Sequence, residues 1–251
     1  MNIPKIIHQT WKDNNIPNHW KESPVSWKKH HPDWQYILWT DENNRNFIKT
    51  EFPWFLSYYD TYEYNIQRVD AVRYFILYKY GGMYVDCDIA CIKNIEPLLP
   101  RDKDFDVLLV ETKNNIIKTY TNSIMFSKKG AVFWLKVFDR LVYEHSKHWY
   151  HIGTHLSVMY STGPSMLTNV YHENPLNVGM LLYEYLHPCS ICDEKPCIKN
   201  TAYVKILTGS SWVALDGKIL TCVYCNKYKI IVFIVFIVFI IWLFYNWYKH
   251  T

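Results

Sequence analysis

The sequence predicts an α/β domain with a mostly parallel central sheet, followed by one C-terminal transmembrane helix. Two observations support this prediction. Strand-like and helix-like segments alternate from residue 5 to about residue 171, as they do in layered α/β domains. Residues 230–248 then form 19 positions without a charged side chain, which is long enough for a membrane span. We therefore divide the chain into a single soluble domain at residues 1–226 and a membrane helix at residues 230–248.

The predicted elements of the soluble domain follow in order along the chain. Apolar and β-branched runs predict strands, and helical spacing of apolar residues predicts helices. The predicted strands are residues 5–10, 35–40, 83–86, 106–111 and 123–127. The predicted helices are residues 23–31, 42–52, 67–80, 131–146 and 165–171.

The run Asn65–Tyr80 is the most regular helical segment. It contains no Gly or Pro, its apolar residues follow helical spacing, and Gly81 and Gly82 end it, so an amphipathic helix is predicted. Asp70 and Arg73 lie three residues apart and share one helix face. They form either a surface ion pair of small energetic value or a charged pair that faces a pocket opened by the next strand.

The most informative segment is residues 80–88, an apolar strand entered through two glycines and ending in Asp86 and Asp88. In a regular strand both carboxylates would share one face, whereas a bend would let one bind a metal directly. Close carboxylates repel each other unless a cation lies between them, and Mg²⁺ or Mn²⁺ also keeps open positions for phosphate oxygens. The segment therefore predicts a metal–diphosphate site, with a solvated turn as the alternative.

Several further motifs accompany this segment: IPKIIHQTW near the start, VDAVRYFILYKYGGMYVDCD in the middle, and TNSIMFS, TGP and SSW later. From about residue 3 to about residue 213 the chain resembles the DXD-containing sugar-binding region of glycosyltransferase family 32. That family includes fungal Golgi α-mannosyltransferases and mannosyltransferases that act on inositol phosphoceramide. A more distant resemblance is to the catalytic domain of the large clostridial glucosylating toxins.

The resemblance implies the GT-A variant of the α/β fold and a catalytic domain at residues 1–226. It also implies a metal-dependent, retaining transfer of a hexose, with mannose favoured, from a nucleoside diphosphate sugar to a glycan or lipid-headgroup acceptor at a membrane. The leaving phosphate oxygen would take the acceptor proton. Glu111 is a candidate base for an inverting enzyme, and alternatively an acceptor contact or a surface residue.

The resemblance further implies roles for residues at matching positions. Trp11 would stack on the nucleotide base, and Asp70 and Arg73 would hold hydroxyls of the donor sugar. The implied catalytic residues are Asp70, Arg73, Asp86 and Asp88. The implied donor-binding residues are Trp11, Asp70, Arg73, Tyr84, Asn122, Ser210, Ser211 and Trp212. The implied ligands of Mn²⁺ or Mg²⁺ are Asp86, Asp88 and Ser211. Many relatives carry a His just before the Ser-Ser-Trp segment, where this chain has Gly209.

The implied partners are a nucleoside diphosphate sugar (GDP-mannose or a UDP-hexose), a glycan or lipid acceptor, and a membrane. The net charge of +4 includes no dense Lys/Arg cluster, so a nucleic-acid groove is not expected. Two other function classes stay open. One is a nucleotide-sugar hydrolase or nucleotidyltransferase, which would use the same metal–diphosphate geometry. The other is a membrane-anchored, non-catalytic sugar-binding module.

The seven cysteines allow more than one arrangement, and their odd number argues against a complete disulfide framework. Two C-x-x-C pairs predict a possible structural Zn²⁺ site with four thiolates, and disulfides or free thiols are the alternatives. The four candidate ligands are Cys189, Cys192, Cys222 and Cys225. Cys87 lies between the two aspartates and is predicted to belong to the core.

The C-terminal segment at residues 230–248 would span about 28 Å as a helix, close to the thickness of the hydrocarbon core. A buried β segment is the alternative, because Ile, Val and Phe favour strands. Aromatic residues near its far end resemble an interfacial belt: Trp242, Tyr245, Trp247 and Tyr248. The first residues show no signal-peptide pattern, so we expect a single-pass protein with a C-terminal anchor and a cytosolic catalytic domain. A lumenal domain is the alternative.

Overall fold

The computed structural model of the chain describes residues 3–100, 103–113, 118–209 and 212–250, and the side chains of these residues apart from 243, 244 and 246–250. The chain divides into two units, Met1–Trp212 and Val213–Thr251. The first unit contains the mixed α/β structure, and the second is a helical segment. The soluble domain predicted at residues 1–226 thus includes the first residues of the second unit.

The first unit is built on a six-stranded sheet with the order β2-β1-β3-β6-β5-β7. Within this sheet β6 runs antiparallel to both of its neighbours, and the other pairings are parallel. A short second sheet pairs β4 with β8. The predicted mostly parallel α/β fold is thus confirmed. The strands are β1 Ile6–Thr10, β2 Gln35–Trp39, β3 Gly82–Val85, β4 Ile89–Cys91, β5 Val107–Glu111, β6 Tyr120–Ser127, β7 Val178–Leu181 and β8 Val204–Ile206.

The helices cover the five segments predicted from the sequence and add several short ones. For α2, Thr40 caps the first turn and accepts a hydrogen bond from the backbone N–H of Asn43 at 3.1 Å. Short 3₁₀ turns lie at Asn18–Trp20, Pro53–Phe55 and Glu96–Leu98. The helices are α1 Glu22–His30, α2 Asp41–Glu51, α3 Leu56–Thr61, α4 Asn65–Tyr80, α5 Phe133–His145, α6 Gly153–Ser161, α7 Pro164–Glu173, α8 Tyr183–Leu186 and α9 Leu215–His250.

Helix α4 lies in the core, and the prediction that it is amphipathic is wrong. Its buried residues form a continuous run from Asp70 to Leu77, so they cover every face of the helix. The aromatic ring of Phe75 stacks on that of Phe138 from α5, with ring centroids 4.0 Å apart. Because both faces are covered, Asp70 and Arg73 are buried as well, which excludes the surface-pair alternative.

The glycine pair between α4 and β3 is required by the close approach of β3 to β1. Gly81 and Gly82 adopt φ angles of +67° and +90°, which side-chain-bearing residues rarely adopt. A Cβ atom at Gly82 would lie 2.5 Å from the carbonyl oxygen of Ile6. This junction is held by His8, whose Nε2 donates to the Gly81 carbonyl at 3.0 Å while its Nδ1 accepts from Trp39. Burial lowers the pKa of His8 to about 4, so the ring is neutral.

The cysteines differ from the predicted zinc site. Cys189 forms a disulfide with Cys197, eight residues later, and Cys222 is a free thiol. A sulfur atom in a disulfide has no thiolate for a metal, so the predicted four-thiolate site of Cys189, Cys192, Cys222 and Cys225 is not formed. Cys197 also exchanges two backbone hydrogen bonds with Ile206, which fix it beside β8. Cys87 is buried, as predicted.

The second unit consists mainly of α9, a helix of 36 residues. Its segment Leu215–Trp242 is, among the described residues, long and apolar enough to cross a membrane. Most of its large apolar side chains between Ile230 and Trp242 are exposed, and the segment is helical rather than a buried strand. Trp242 and Tyr245 are exposed on this helix, whereas the side chains of Trp247 and Tyr248 lie outside the described ones.

Candidate active site

The two aspartates of the acidic segment lie in a turn at the carboxyl end of β3. Strand β3 ends at Val85, and the carbonyl oxygen of Asp86 accepts a hydrogen bond from the N–H of Ile89 at 3.2 Å. Gln9 from β1 also donates to this carbonyl at 3.1 Å. The bent alternative is therefore the one adopted. Since β1 and β3 are parallel neighbours, residues that follow both strands meet at one edge of the sheet.

Arg73 connects three elements beneath this turn. Its side chain is 3% exposed, with Nη2 lying 2.9 Å from Asp70 Oδ1 and Nη1 lying 3.3 Å from Asp86 Oδ1. Nη1 also donates to the carbonyl oxygen of Asn122 on β6 at 2.8 Å. The guanidinium carbon lies 4.5 Å from the centre of the Tyr84 ring. The guanidinium of Arg73 thus fixes the Asp70 carboxylate of α4 and the Asp86 carboxylate after β3 relative to each other.

Asp70 has hydrogen-bond donors on both carboxylate oxygens. Asn122 Nδ2 donates to Oδ1 at 3.0 Å, and the hydroxyl of Thr162 donates to Oδ2 at 3.4 Å. Burial raises the pKa of Asp70 to about 7, although the charge of Arg73 opposes the shift. Thr162 belongs to the TGP motif noted in the sequence, but nothing in the sequence alone connected that motif to Asp70.

Tyr84 lies behind Asp86 rather than on the surface of the pocket. It is fully buried, its hydroxyl donates to Asp86 Oδ1 at 2.8 Å, and it shares a second hydrogen bond of 2.7 Å with Thr10. Since Tyr84 gives its proton to the carboxylate, Thr10 is the donor in the second bond. This chain of hydrogen bonds orients the Asp86 carboxylate, and Thr10 is a contributor that the sequence analysis missed.

The acidic turn places two carboxylates where their charges interact. Burial raises the pKa of Asp86, and its side chain is still 30% exposed. Burial and, next, the charge of Asp86 raise the pKa of Asp88 to about 7. Hard carboxylate oxygens that repel each other in this way suit Mg²⁺ or Mn²⁺, which would relieve the repulsion. The predicted third ligand, Ser211, lies outside the described residues, as does Ser210.

These groups face a cavity of about 690 Å³, large enough for a sugar and a nucleotide. Glu111 is not among the described residues that line it and instead lies 3.4 Å from Lys118. The cavity brings together most of the predicted residues: Trp11, Asp70, Arg73, Asp86, Asp88, Asn122 and Trp212. Lining residues that the sequence analysis did not single out include Thr10, Lys12, Trp20, Asp41, Glu63, Asn65, Thr154, Val158 and Met159.

Aromatic residues form two parts of the cavity wall. Trp11 directly follows β1 and is half-buried; its ring packs edge-on against Trp20 with centroids 5.1 Å apart, and its indole N–H donates to the carbonyl of Asn15. Trp212 stacks on His155 from α6, with ring centroids 5.5 Å apart and planes 8° from parallel. Both indoles are thereby held in place before any ligand binds, which favours recognition of flat or apolar ligand faces.

Comparison with known proteins identifies relatives that cover most of this chain. A family profile described as "Glycosyltransferase sugar-binding region containing DXD motif" matches residues 17–105. Inositol phosphoceramide mannosyltransferase 3 of Schizosaccharomyces pombe is 47% identical over 169 residues, which cover 67% of this chain and 45% of that protein. Inositol phosphoceramide mannosyltransferase 1 of the same organism is 32% identical over 248 residues, covering 92% of this chain and 69% of that protein.

The fold also matches a solved structure. The PaToxG glycosyltransferase superposes with a TM-score of 0.53 at 18% identity, over 69% of this chain and 70% of that one. At this identity the match concerns the fold, and it agrees with the predicted GT-A layout. The chain spans about half to two-thirds of the length of several curated relatives that it matches.

Proposed function

Since this chain belongs to the glycosyltransferases with a DXD sugar-binding region, family 32, we propose that it transfers mannose from a nucleoside diphosphate sugar to the inositol headgroup of a phosphoceramide-type membrane lipid. The observation that carries the proposal is that Asp86 and Asp88 line the same cavity as Asp70 and Arg73. Within this group the buried Arg73 contacts both Asp70 and Asp86. The names of the matching mannosyltransferases support the choice of sugar and acceptor.

The proposed site divides its tasks among the residues described above. Asp70 and Asn122 lie on the cavity wall, where their polar atoms can hold hydroxyls of the donor sugar. Asp86 and Asp88 would hold Mg²⁺ or Mn²⁺, which supplies positive charge for the diphosphate leaving group. Arg73 keeps Asp70 and Asp86 at a fixed separation, so that the sugar and the diphosphate bind in one orientation.

We propose a retaining reaction without a protein nucleophile. The bond between the anomeric carbon and the diphosphate oxygen breaks, and the acceptor oxygen forms its bond on the same face of the sugar. The departing phosphate oxygen takes the acceptor proton, so that charges and atoms balance. Glu111 has no part in this proposal, because it is not among the described cavity residues and pairs with Lys118.

The experiment that tests this function is a donor and acceptor panel with the full chain in lipid nanodiscs. Each nucleoside diphosphate sugar is supplied with Mn²⁺ or Mg²⁺, with and without inositol phosphoceramide, and both glycolipid and free sugar are quantified. Metal-dependent glycolipid formation from the mannose donor supports the proposal. Release of free mannose at the same rate without acceptor would identify a hydrolase, and absence of donor binding to the folded chain would identify a non-catalytic module.

Replacing Trp11 with Ala is expected to raise the KM for the donor roughly tenfold to a hundredfold while kcat changes little. The reason is that base–aromatic stacking contributes about 1–3 kcal/mol per base. Trp11→Phe, which retains a stacking surface, serves as the matched variant and should show a smaller increase. Steady-state kinetics with varied donor concentration provide the measurement. An unchanged donor KM in Trp11→Ala would show that Trp11 serves only to pack against Trp20.

We also propose that residues 230–248 cross the membrane and that the catalytic unit faces an oxidising, lumenal compartment, in place of the cytosolic location expected from the sequence. The Cys189–Cys197 disulfide supports this orientation, because disulfides persist in oxidising compartments and are rare in the cytosol. In intact microsomes we expect the domain to resist added protease and these two cysteines to resist alkylation until a reductant is added. Cys189→Ser/Cys197→Ser, compared in a Cys222→Ser background, serves as the control for labelling at these two positions. Digestion in intact microsomes would contradict the orientation.

A further inference from the structure

The segment between α5 and α6, residues 146–152, is here termed the aromatic loop. Trp149 is 87% exposed and Ile152 is 65% exposed, whereas the polar His151 of the same loop is buried. Lys147 is also exposed. Single apolar residues on a surface are common, but a nearly fully exposed Trp beside an exposed Ile and a Lys is an unusual combination in water.

Contacts within the aromatic loop and with α5 fix the loop conformation in which Trp149 and Ile152 are exposed. Beneath the loop, Glu144 of α5 is buried and accepts a hydrogen bond of 2.7 Å from the Tyr150 hydroxyl, while His151 Nε2 lies 3.3 Å from the same oxygen. The rings of His148 and Tyr150 stack with centroids 5.2 Å apart. The loop therefore holds His151 and the Tyr150 hydroxyl against Glu144 and leaves Trp149 and Ile152 on the surface, together with Lys147. Two large apolar side chains side by side on one loop are thereby fixed in contact with solvent.

Both ends of the aromatic loop reach the rim of the cavity. At its start, Lys147 Nζ lies 3.6 Å from an oxygen of Glu63, which lines the cavity. At its end, Ile152 leads directly into α6, whose Thr154, Val158 and Met159 form part of the cavity wall. Any surface that the loop contacts is consequently close to this part of the cavity rim.

We propose that the aromatic loop inserts Trp149 and Ile152 into the headgroup region of a bilayer and holds the mouth of the cavity at the depth of a lipid headgroup. The inference rests on the proposed function, since it assigns the acceptor to the bilayer rather than to solution. Trp suits this region because its ring combines an apolar body with a polar N–H. The ammonium of Lys147 is exposed beside Glu63, where it can also donate hydrogen bonds to phosphate oxygens of lipid headgroups. The same chain carries the segment Leu215–Trp242, which is long and apolar enough to cross a membrane. A bilayer is therefore the surface that we assign to the loop.

The first test measures contact with the bilayer and does not require activity. A Cys222→Ser background removes the exposed free thiol, and Trp149→Cys is labelled with a polarity-sensitive fluorophore in the full chain. Trp54→Cys, at another exposed Trp, is the matched control. In vesicles of phosphatidylcholine and phosphatidylinositol, headgroup-depth spin-labelled lipid should quench the label at position 149 at least threefold more than the label at position 54. Equal quenching at both positions, or none, would overturn the proposal.

The second test separates this inference from the proposed function. Trp149→Ser/Ile152→Ser should raise the KM for inositol phosphoceramide in vesicles at least tenfold and leave metal-dependent donor hydrolysis unchanged. Transfer to a tail-free inositol phosphate should also be unchanged, because that acceptor reaches the cavity from solution. An unchanged KM for the vesicle-bound lipid would overturn the loop's role. If the wild-type chain transfers no sugar, the proposed function fails, and the quenching experiment alone decides whether the loop contacts the bilayer.

Discussion

Replacing Asp86 with Asn is expected to reduce mannosyl transfer about a thousandfold without unfolding the chain. Asn retains the shape of Asp but removes the charge, and a single electrostatic contact at a developing charge contributes about 10²- to 10³-fold to the rate. Loss of a metal ligand adds to that effect. The fold should tolerate the change, because burial already disfavours the charged form of Asp86 and Arg73 retains Asp70 as a partner.

The measurement is the rate of glycolipid formation over a range of Mn²⁺ concentrations, together with the thermal unfolding midpoint of each variant. Asp60→Asn is the matched control, because it also removes a carboxylate from an arginine, but in the exposed Arg45–Asp60 pair. That control should keep wild-type turnover. If Asp86→Asn kept more than a tenth of the activity and the same metal dependence, the metal–diphosphate assignment would be wrong.

The parts of the site that were predictable from sequence are those set by local geometry. The glycine pair and the two aspartates that follow β3 lie within eight consecutive residues, so the turn, the strand and the acidic site were specified together. Asp70 and Arg73 lie one helical turn apart, so their shared face followed from helix periodicity alone. The family resemblance added Asn122, which the fold brings to Asp70 from 52 residues away.

The parts that were not predictable depend on contacts between distant segments. The burial of α4 on all faces depends on the packing of α5, which its own sequence does not encode. Helix α6 lines the cavity because the chain comes back to the Asp86 side of the sheet about 70 residues after Asp86. The cysteine spacing suggested two metal-binding pairs, but the fold pairs Cys189 with Cys197, a cysteine outside both C-x-x-C motifs, in a disulfide.

Replacing Arg73 with Lys should cause a large loss of activity and stability even though the positive charge is retained. Arg73 uses separate nitrogens for Asp70, for Asp86 with the Asn122 carbonyl, and for the Val69 carbonyl. An ammonium group is a single point charge and cannot reproduce the planar, forked arrangement. We expect kcat to fall about a hundredfold, because the two carboxylates lose their fixed separation. Stability should fall by about 3 kcal/mol, as when a buried ion pair is disrupted.

A pair of further variants separates the structural contribution of Arg73 from its catalytic one. Arg73→Met leaves the buried Asp70 without its cation and should destabilise the chain by about 3–5 kcal/mol. Adding Asp70→Asn removes that uncompensated carboxylate, so Arg73→Met/Asp70→Asn should regain stability without regaining turnover. Arg45→Lys at the exposed Arg45–Asp60 pair is the control, with an expected change below about 1 kcal/mol. Unfolding midpoints and kcat at saturating donor provide the two readouts. Recovery of stability together with the kcat of Asp70→Asn alone would mean that Arg73 stabilises the fold but does not set the geometry of the reaction. Recovery of stability with a kcat well below that of Asp70→Asn alone identifies Arg73 as the residue that positions Asp70 and Asp86.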